Sequence, residues 1–308
     1  MGILVIGTTG RLARALGAAA PGLTRLGRAM LDLVDAAAAE AVVLSHAPDL
    51  VINAAAYTAV DQAEADVAAA YAVNRDGVEA LARRAARAGA ALVHVSTDYV
   101  FDGSKVCEWV ETDPTGPLGT YGASKRAGEA AALAANPRTL VLRTSWVYSP
   151  WEKNFVGTML RLADRERLPV VDDQHGKPTS ALYLAEAILA IAPRLAAAPA
   201  GAACWGVRHY AGRGITTWAR FAREIFAQAR GRLIAAGAGG GADPDQRLSD
   251  PGPAAAELGP RLLRLRARVR DCDGGLADRA RPGDRATDGG TRGGLNAFLI
   301  RPAVRWNP

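Results

Sequence analysis

Four apolar runs, spaced along the first half of the chain with helix-forming sequence between them, restrict its fold more than any other feature. "ILVIG" (3–7) is short and ended by glycine, "DLVINAAA" (49–56) and "ALVHVST" (91–97) are of buried-strand type, and "TLVLRTSWVY" (139–148) is a fourth. The intervening "TTGRLARALGAAA" and "DVAAAYAVNRDGVEALARRAARAGA", and "NFVGTMLRLADRE" after the fourth run, have helical spacing and high helix propensity. The second of these is expected to end at Gly89. Parallel strands need long crossovers, so strands alternating with helices of this length predict an α/β protein whose parallel sheet is wound on both faces. Ligands of such sheets bind at the carboxyl ends of the strands.

The 308 residues, 49% of them hydrophobic, suffice for a large domain and a smaller one. The start "MGILVIG" lacks the basic and apolar regions of a signal peptide, and no segment approaches the roughly 18 apolar residues of a membrane span, so a cytoplasmic location is expected. Cys107, Cys204 and Cys272 are too scattered for a disulfide framework or a metal knuckle and are expected to be buried or incidental thiols. The net charge of +6 is unevenly spread: residues 231–308 hold 13 arginines, no lysine and nine acids, net +4, which leaves +2 for residues 1–230. Nucleic acid is therefore not an expected partner of the first 230 residues.

At the first strand end stands "GTTGRLA" (7–13). Gly7 and Gly10 suit a tight turn that leaves backbone N–H groups free at a helix start to meet a pyrophosphate; taken alone, the pair also fits a plain turn. At the first strand-to-helix junction the spacing favours a nucleotide site and a Rossmann-type domain. Arg28 in "LGRAMLDL", after a short second strand, has two readings: partner of an adenosine 2′-phosphate, which would favour NADPH over NADH, or a solvated surface arginine.

"TYGASK" (120–125) sets Tyr121 and Lys125 four residues apart on one helix face. A nearby cation is expected to lower the phenol's pKa and make Tyr121 a proton donor for a carbonyl oxygen that receives hydride at carbon. "HVSTDYVFDG" supplies Ser96 and Thr97, hydroxyls able to hold the same carbonyl.

Together "GTTGRLA", "VINAAAYTAVDQAE", "AYAVNRDG", "VHVSTDYVFDG", "ETDPTGPLGTYGASKRAGE", "LRTSWVYS" and "VVDDQHGKPTS" resemble the extended short-chain dehydrogenase/reductase family, and within it the branch that reduces dTDP-linked 4-keto sugars. The resemblance runs from about Ile3 to Ala229. It implies an NADPH-dependent reduction of a nucleotide-sugar C4 ketone, with NADH as a possible substitute, and a homodimer as a possible assembly. It implies Thr97, Tyr121 and Lys125 as the catalytic set: Thr97 orients the keto group, Tyr121 donates the proton, and Lys125 tunes Tyr121 and binds the nicotinamide ribose. By the same resemblance, Gly7, Gly10, Arg11, Leu12, Arg28, Asp32, Leu33, Ala56, Tyr57, Thr58, Tyr121 and Lys125 contact cofactor, and Val60, Thr97, Asp98, Tyr99 and Trp146 line the sugar pocket. Without it, Trp146 reads as a core aromatic. Asn74 reads either as a neighbour of a catalytic water chain or as a helix-face residue bonding backbone. Tyr183 stands where some members have a metal-binding glutamate, so no metal is expected, and "KVCEWVE" (105–111) departs from the usual lid loop. The alternatives are another nucleotide-sugar reductase or epimerase of the superfamily, and a noncatalytic NADP-binding regulatory subunit, which would need neither Tyr121 nor Lys125.

The expected organisation is a dinucleotide-binding domain over 1–148, to which later segments return, and a smaller C-terminal substrate domain, present only in part over 149–230. "HYAGRGITTWARFAREIFAQA" fits the family, with Thr216 or Thr217 capping a helix to about Ala229. From Gly231 the composition turns to Gly, Arg and Pro, with no aromatic before Phe298. A disordered tail and a nucleic-acid-binding tail are two readings, the second opposed by the interspersed acids. The preferred third is a coding frame displaced by one base between Gly231 and Ala236. A GC-rich message for Ala242 to Pro251, read one base later, spells Pro-Ile-Pro-Thr-Ser-Asp-Tyr-Pro-Thr, which resembles the C-terminal segment of this family. This reading predicts a chain that keeps its dinucleotide site but has little or no activity.

Overall fold

The computed structural model describes residues 1–35, 43–105, 107–165 and 167–235. The expectations for the tail beyond Ala235, and Cys272 with them, lie outside the described residues. Strands β1 (Ile3–Ile6), β2 (Thr24–Leu26), β3 (Leu50–Asn53), β4 (Ala91–Thr97), β5 (Thr139–Thr144) and β9 (Gly206–His209) form one six-stranded sheet in the order β2-β1-β3-β4-β5-β9. Every pairing in it is parallel. After β1 the chain steps outward to β2, then crosses to β3 on β1's other side, so the ends of β1 and β3 flank the crevice where the winding reverses.

All residues of β3 and β5 are buried, as a sheet covered on both faces requires. One face packs on α1 (Arg11–Ala19) and α7 (Ala181–Ala197), through Leu12, Leu16, Leu184, Ile188 and Leu195. The other packs on α4 (Gly77–Arg87) and α5 (Thr120–Ala135), through Val78, Leu81, Ala85 and Ala132. A separate small core joins α6 (Phe155–Arg161) to α8 (Trp218–Ala235) around Met159, Ala222 and Ile225. The remaining pairings are two-stranded: β6 (Val147–Tyr148) with β8 (Thr179–Ser180), and β7 (His175–Gly176) with β10 (Thr216–Thr217). Cys204 is a buried free thiol. Cys107 is half-buried in the loop after β4.

Three elements differ from expectation. The long helix over 66–90, preceded by the short α2 (Val60–Ala63), is broken into α3 (Val67–Tyr71), a π-helical turn (Ala72–Asp76) and α4, although Gly89, at φ +71°, closes α4 as expected. The turn widens where Asn74 is drawn out of the helix into side-chain bonds described below. Helix α6 stops at Arg161, short of the pattern over 154–166, and Asn154 caps it by accepting from the Gly157 N–H at 3.2 Å. Helix α8 instead runs on to Ala235, beyond Ala229, so the first five residues of the region expected to be aberrant continue a helix. Its cap is Thr217, whose Oγ1 accepts from Arg220 N at 3.2 Å.

Candidate active site

The β1–α1 turn is built for an anion. Gly7 sits at φ +116°, a conformation open to glycine, and its N–H donates to Leu26 O at 2.7 Å, fastening the turn to β2. Gly10 caps α1 without a side-chain bond, and the first turn of α1 contains no acid, so its N–H groups face the crevice without a competing carboxylate. Arg11 reaches across to donate Nη2 to Lys153 O at 2.5 Å, and its buried Nε has no partner. This unpaired donor and the free helix start fit a dinucleotide pyrophosphate. Leu12 and Leu33 would meet a cofactor through their backbone. Both side chains are buried in the core, Leu33 against Gly77, because the helix and loop turn them inward; only their backbone is left for a cofactor. Arg28 donates Nε to Asp32 Oδ2 at 3.1 Å, and its side chain is 83% exposed, so its outer nitrogens face solvent beside the strand ends.

After β3, Ala56, Tyr57 and Thr58 form the opposite wall. Asn74 accepts from Tyr57 N at 2.9 Å, donates to Tyr57 O at 3.0 Å and donates to Ser124 Oγ at 3.0 Å. The bonds to the Tyr57 backbone are those of its backbone-bonding reading, and with Ser124 they let the π-turn residue clamp the wall to α5.

At the end of β4, Thr97 donates to Asp98 Oδ1 at 3.0 Å and accepts from Tyr99 N at 3.2 Å, and its hydroxyl lies close enough to the Tyr121 phenol to pull the phenol's pKa down. Burial pushes the Asp98 carboxyl up to about 6. Two expectations are corrected here. Ser96 does not share Thr97's role: alternation along β4 turns it to the α5 face, where it donates to Glu129 Oε1 at 2.6 Å. Nor does Lys125 acidify Tyr121. Burial pushes the phenol up to about 12, against smaller downward pulls from Thr97 and Arg11. The Lys125 amine, 2% exposed, instead donates to Val95 O at 2.8 Å and lies 3.3 Å from His94 Nε2; burial lowers its pKa to about 8. A phenol so protonated is still a competent acid toward an alkoxide.

Glu129, one turn beyond Lys125, holds Arg143 in a two-pronged pair, Nε to Oε1 at 2.8 Å and Nη2 to Oε2 at 2.7 Å, both side chains buried. On the sugar side, Tyr99 is 49% exposed and meets the Tyr121 ring edge-on at 5.5 Å, while Val60 opens α2 nearby in sequence to the 56–58 wall. Trp146, at φ +44°, stacks on Trp218 with ring centroids 3.5 Å apart and lies against Gly176, where a Cβ would come within 2.2 Å of its ring. It borders the small α6–α8 core rather than filling the sheet core. His94 and Asn53 were not singled out in the sequence; the signal was a lone imidazole in an otherwise apolar strand. The described residues include no group of His, Cys, Asp or Glu able to hold a metal ion and no helix long and apolar enough to cross a membrane.

A doubly wound sheet with an anion-ready turn at its switch point and a Thr–Tyr–Lys set beside it defines an NAD(P)-dependent oxidoreductase of the short-chain dehydrogenase type. The pattern of the RmlD substrate binding domain matches residues 1–239, and the chain belongs to that family. It is 46% identical over 230 residues to a dTDP-4-dehydrorhamnose reductase of Sinorhizobium fredii, covering 73% of this chain and 77% of that protein. Two solved structures are similar: a dTDP-4-dehydrorhamnose reductase of Clostridium acetobutylicum (TM-score 0.70, 35% identity, 75% of this chain and 81% of that one) and one of Bacillus anthracis in complex with NADP (TM-score 0.69, 33% identity, 75% and 82%).

Proposed function

We propose that the chain reduces the C4 keto group of dTDP-4-dehydro-L-rhamnose to the hydroxyl of dTDP-L-rhamnose with NADPH. The observation that carries this reading is the buried, protonated Tyr121 phenol beside Thr97 at the end of β4, next to the switch-point crevice. The B. anthracis relative's NADP supports the cofactor. Gly7, Gly10 and Arg11 would hold its pyrophosphate, Arg28 the 2′-phosphate, and Lys125 the nicotinamide ribose. When bound, the nicotinamide supplies hydride. Thr97 orients the keto oxygen, Tyr121 holds the proton that this oxygen takes up, and Tyr99 and Trp146 position the sugar with Val60 and Asp98. Tyr121 is the donor because its proton, unlike that of Thr97, is not committed to a carboxylate.

The reading extends to a dinucleotide-binding domain over 1–148, a partial substrate domain over 149–230, a cytoplasmic homodimer, and a frame-displaced tail that lowers activity. The test is NADPH consumption by the full chain with dTDP-4-dehydro-L-rhamnose, beside a Tyr121→Phe control. Turnover that depends on Tyr121 supports the reaction and refutes the disabling tail. No turnover in a protein that binds NADPH supports the tail reading, and the frame-restored chain is then assayed; silence from both chains refutes the function.

A further inference from the structure

Lys125 is held by a buried chain that no step above uses. Ala55 N donates to Asn53 Oδ1 at 3.1 Å, which fixes that oxygen as the acceptor and turns the Asn53 amide nitrogen to His94 Nδ1 at 3.2 Å. An amide nitrogen only donates, so Nδ1 accepts, and a neutral imidazole that accepts at Nδ1 has its proton on Nε2. That N–H faces the Lys125 amine at 3.3 Å, while the amine donates to Val95 O. An ammonium has no lone pair and would set two donors against each other; a neutral amine accepts the Nε2 proton and satisfies every group in the chain. Asn53, His94 and Lys125 are each at most 2% exposed, so water does not relieve a mismatch.

We infer that His94, with its tautomer set by Asn53, is a positioning residue that donates to Lys125 and favours the neutral amine in the ligand-free site. This deepens the proposed function and rests on Lys125 being part of that site. Burial lowers both His94 and Lys125, and a charged Lys125 lowers His94 further, so the two are not charged together. The other charged or titratable groups along Lys125 are Glu129, whose carboxylate favours the ammonium, and Tyr121 one turn earlier; Arg143 pairs with Glu129. The arrangement lowers the cationic share of Lys125 and so weakens the pull it can exert on the Tyr121 phenol.

Two measurements test this. Imidazole 1H–15N correlation spectra of the ligand-free chain, with its four histidines assigned by His94→Phe, read the tautomer independently of function. A proton on Nε2 is expected, and one on Nδ1 overturns the inference. The pH dependence of NADPH affinity gives the second. Losing a donor to the neutral amine should move the basic limb upward by about one pH unit in His94→Phe, the size of one modest hydrogen bond. A limb that stays or moves downward overturns the inference. If the wild-type chain binds no NADPH, the functional reading fails while the spectrum still decides the tautomer.

Discussion

Replacing Glu129 with leucine should destabilise the protein as much as a large core truncation in the sheet. In the native structure its carboxylate takes two bonds from Arg143 and one from Ser96, at 2.6 to 2.8 Å, with side-chain exposures of 1% for Glu129 and 6% for Arg143. Arg143 Nη1 is already without a hydrogen-bond partner, so losing the carboxylate leaves a whole guanidinium buried beside the Phe101 ring, 5.0 Å from its centroid, and near His209. Stranding one charge of a buried pair costs about 3–5 kcal/mol, whereas replacing both by apolar residues is often close to neutral. Equilibrium urea unfolding of wild type, Glu129→Leu, Arg143→Leu and the double variant measures this. The single Glu129 variant should lose about 3–5 kcal/mol, or roughly 6–20 °C in Tm for a domain of this size, and the double variant should recover most of it. A Glu129→Leu loss below about 1 kcal/mol, or a double variant no more stable than that single, would refute the reasoning, since the stranded charge is its whole basis.

Other outcomes follow from the same geometry. Tyr121→Phe should lower kcat by about 10²- to 10⁴-fold in steady-state assays while NADPH affinity, read by fluorescence, stays within a few-fold. Asp98, raised from 3.8 to about 6 by burial, keeps its proton in the native chain while the unfolded chain ionises. Its contribution to stability therefore falls as pH rises from about 4 to 6 and stays lost above that window. Asp98→Asn should then stabilise by about 1–3 kcal/mol at pH 8 and by nothing measurable at pH 3.5, as denaturation at the two pH values will show. Gly128→Ala would set a Cβ 1.9 Å from Asn74 O, forcing α5 off the π-turn; a loss of about 1–3 kcal/mol and weaker NADPH binding are expected by denaturation and titration.

The sheet was legible because its strands are buried on both faces: "LVIN" and "TLVLRT" leave no polar face to confuse their period. The glycine turn and the Tyr121–Lys125 spacing were legible because local backbone geometry determines both. The failures arose where a long-range partner decided the outcome. Ser96 and Thr97 are neighbours in sequence with similar hydroxyls, and only Glu129, 33 residues beyond Ser96, separates their roles. The direction of the Lys125 amine depended on His94 and the Val95 carbonyl, 31 and 30 residues away, which helix spacing does not reveal. The π-turn likewise follows from Asn74 reaching Tyr57 and Ser124, so an unbroken helix was the natural expectation from residues 66–90 alone.

The Trp146–Trp218 stack gives the molecule an optical signature. Two indoles at 3.5 Å and 9° from parallel are close enough for their transitions to couple, so the pair should produce an exciton feature in circular dichroism that neither ring yields alone. Trp146 leaves the sheet at the end of β5 and Trp218 begins α8, so that feature reports on whether the small helical core is seated against the sheet. Its amplitude during ligand titration would follow this docking without any added label, and Trp218→Phe would supply the blank.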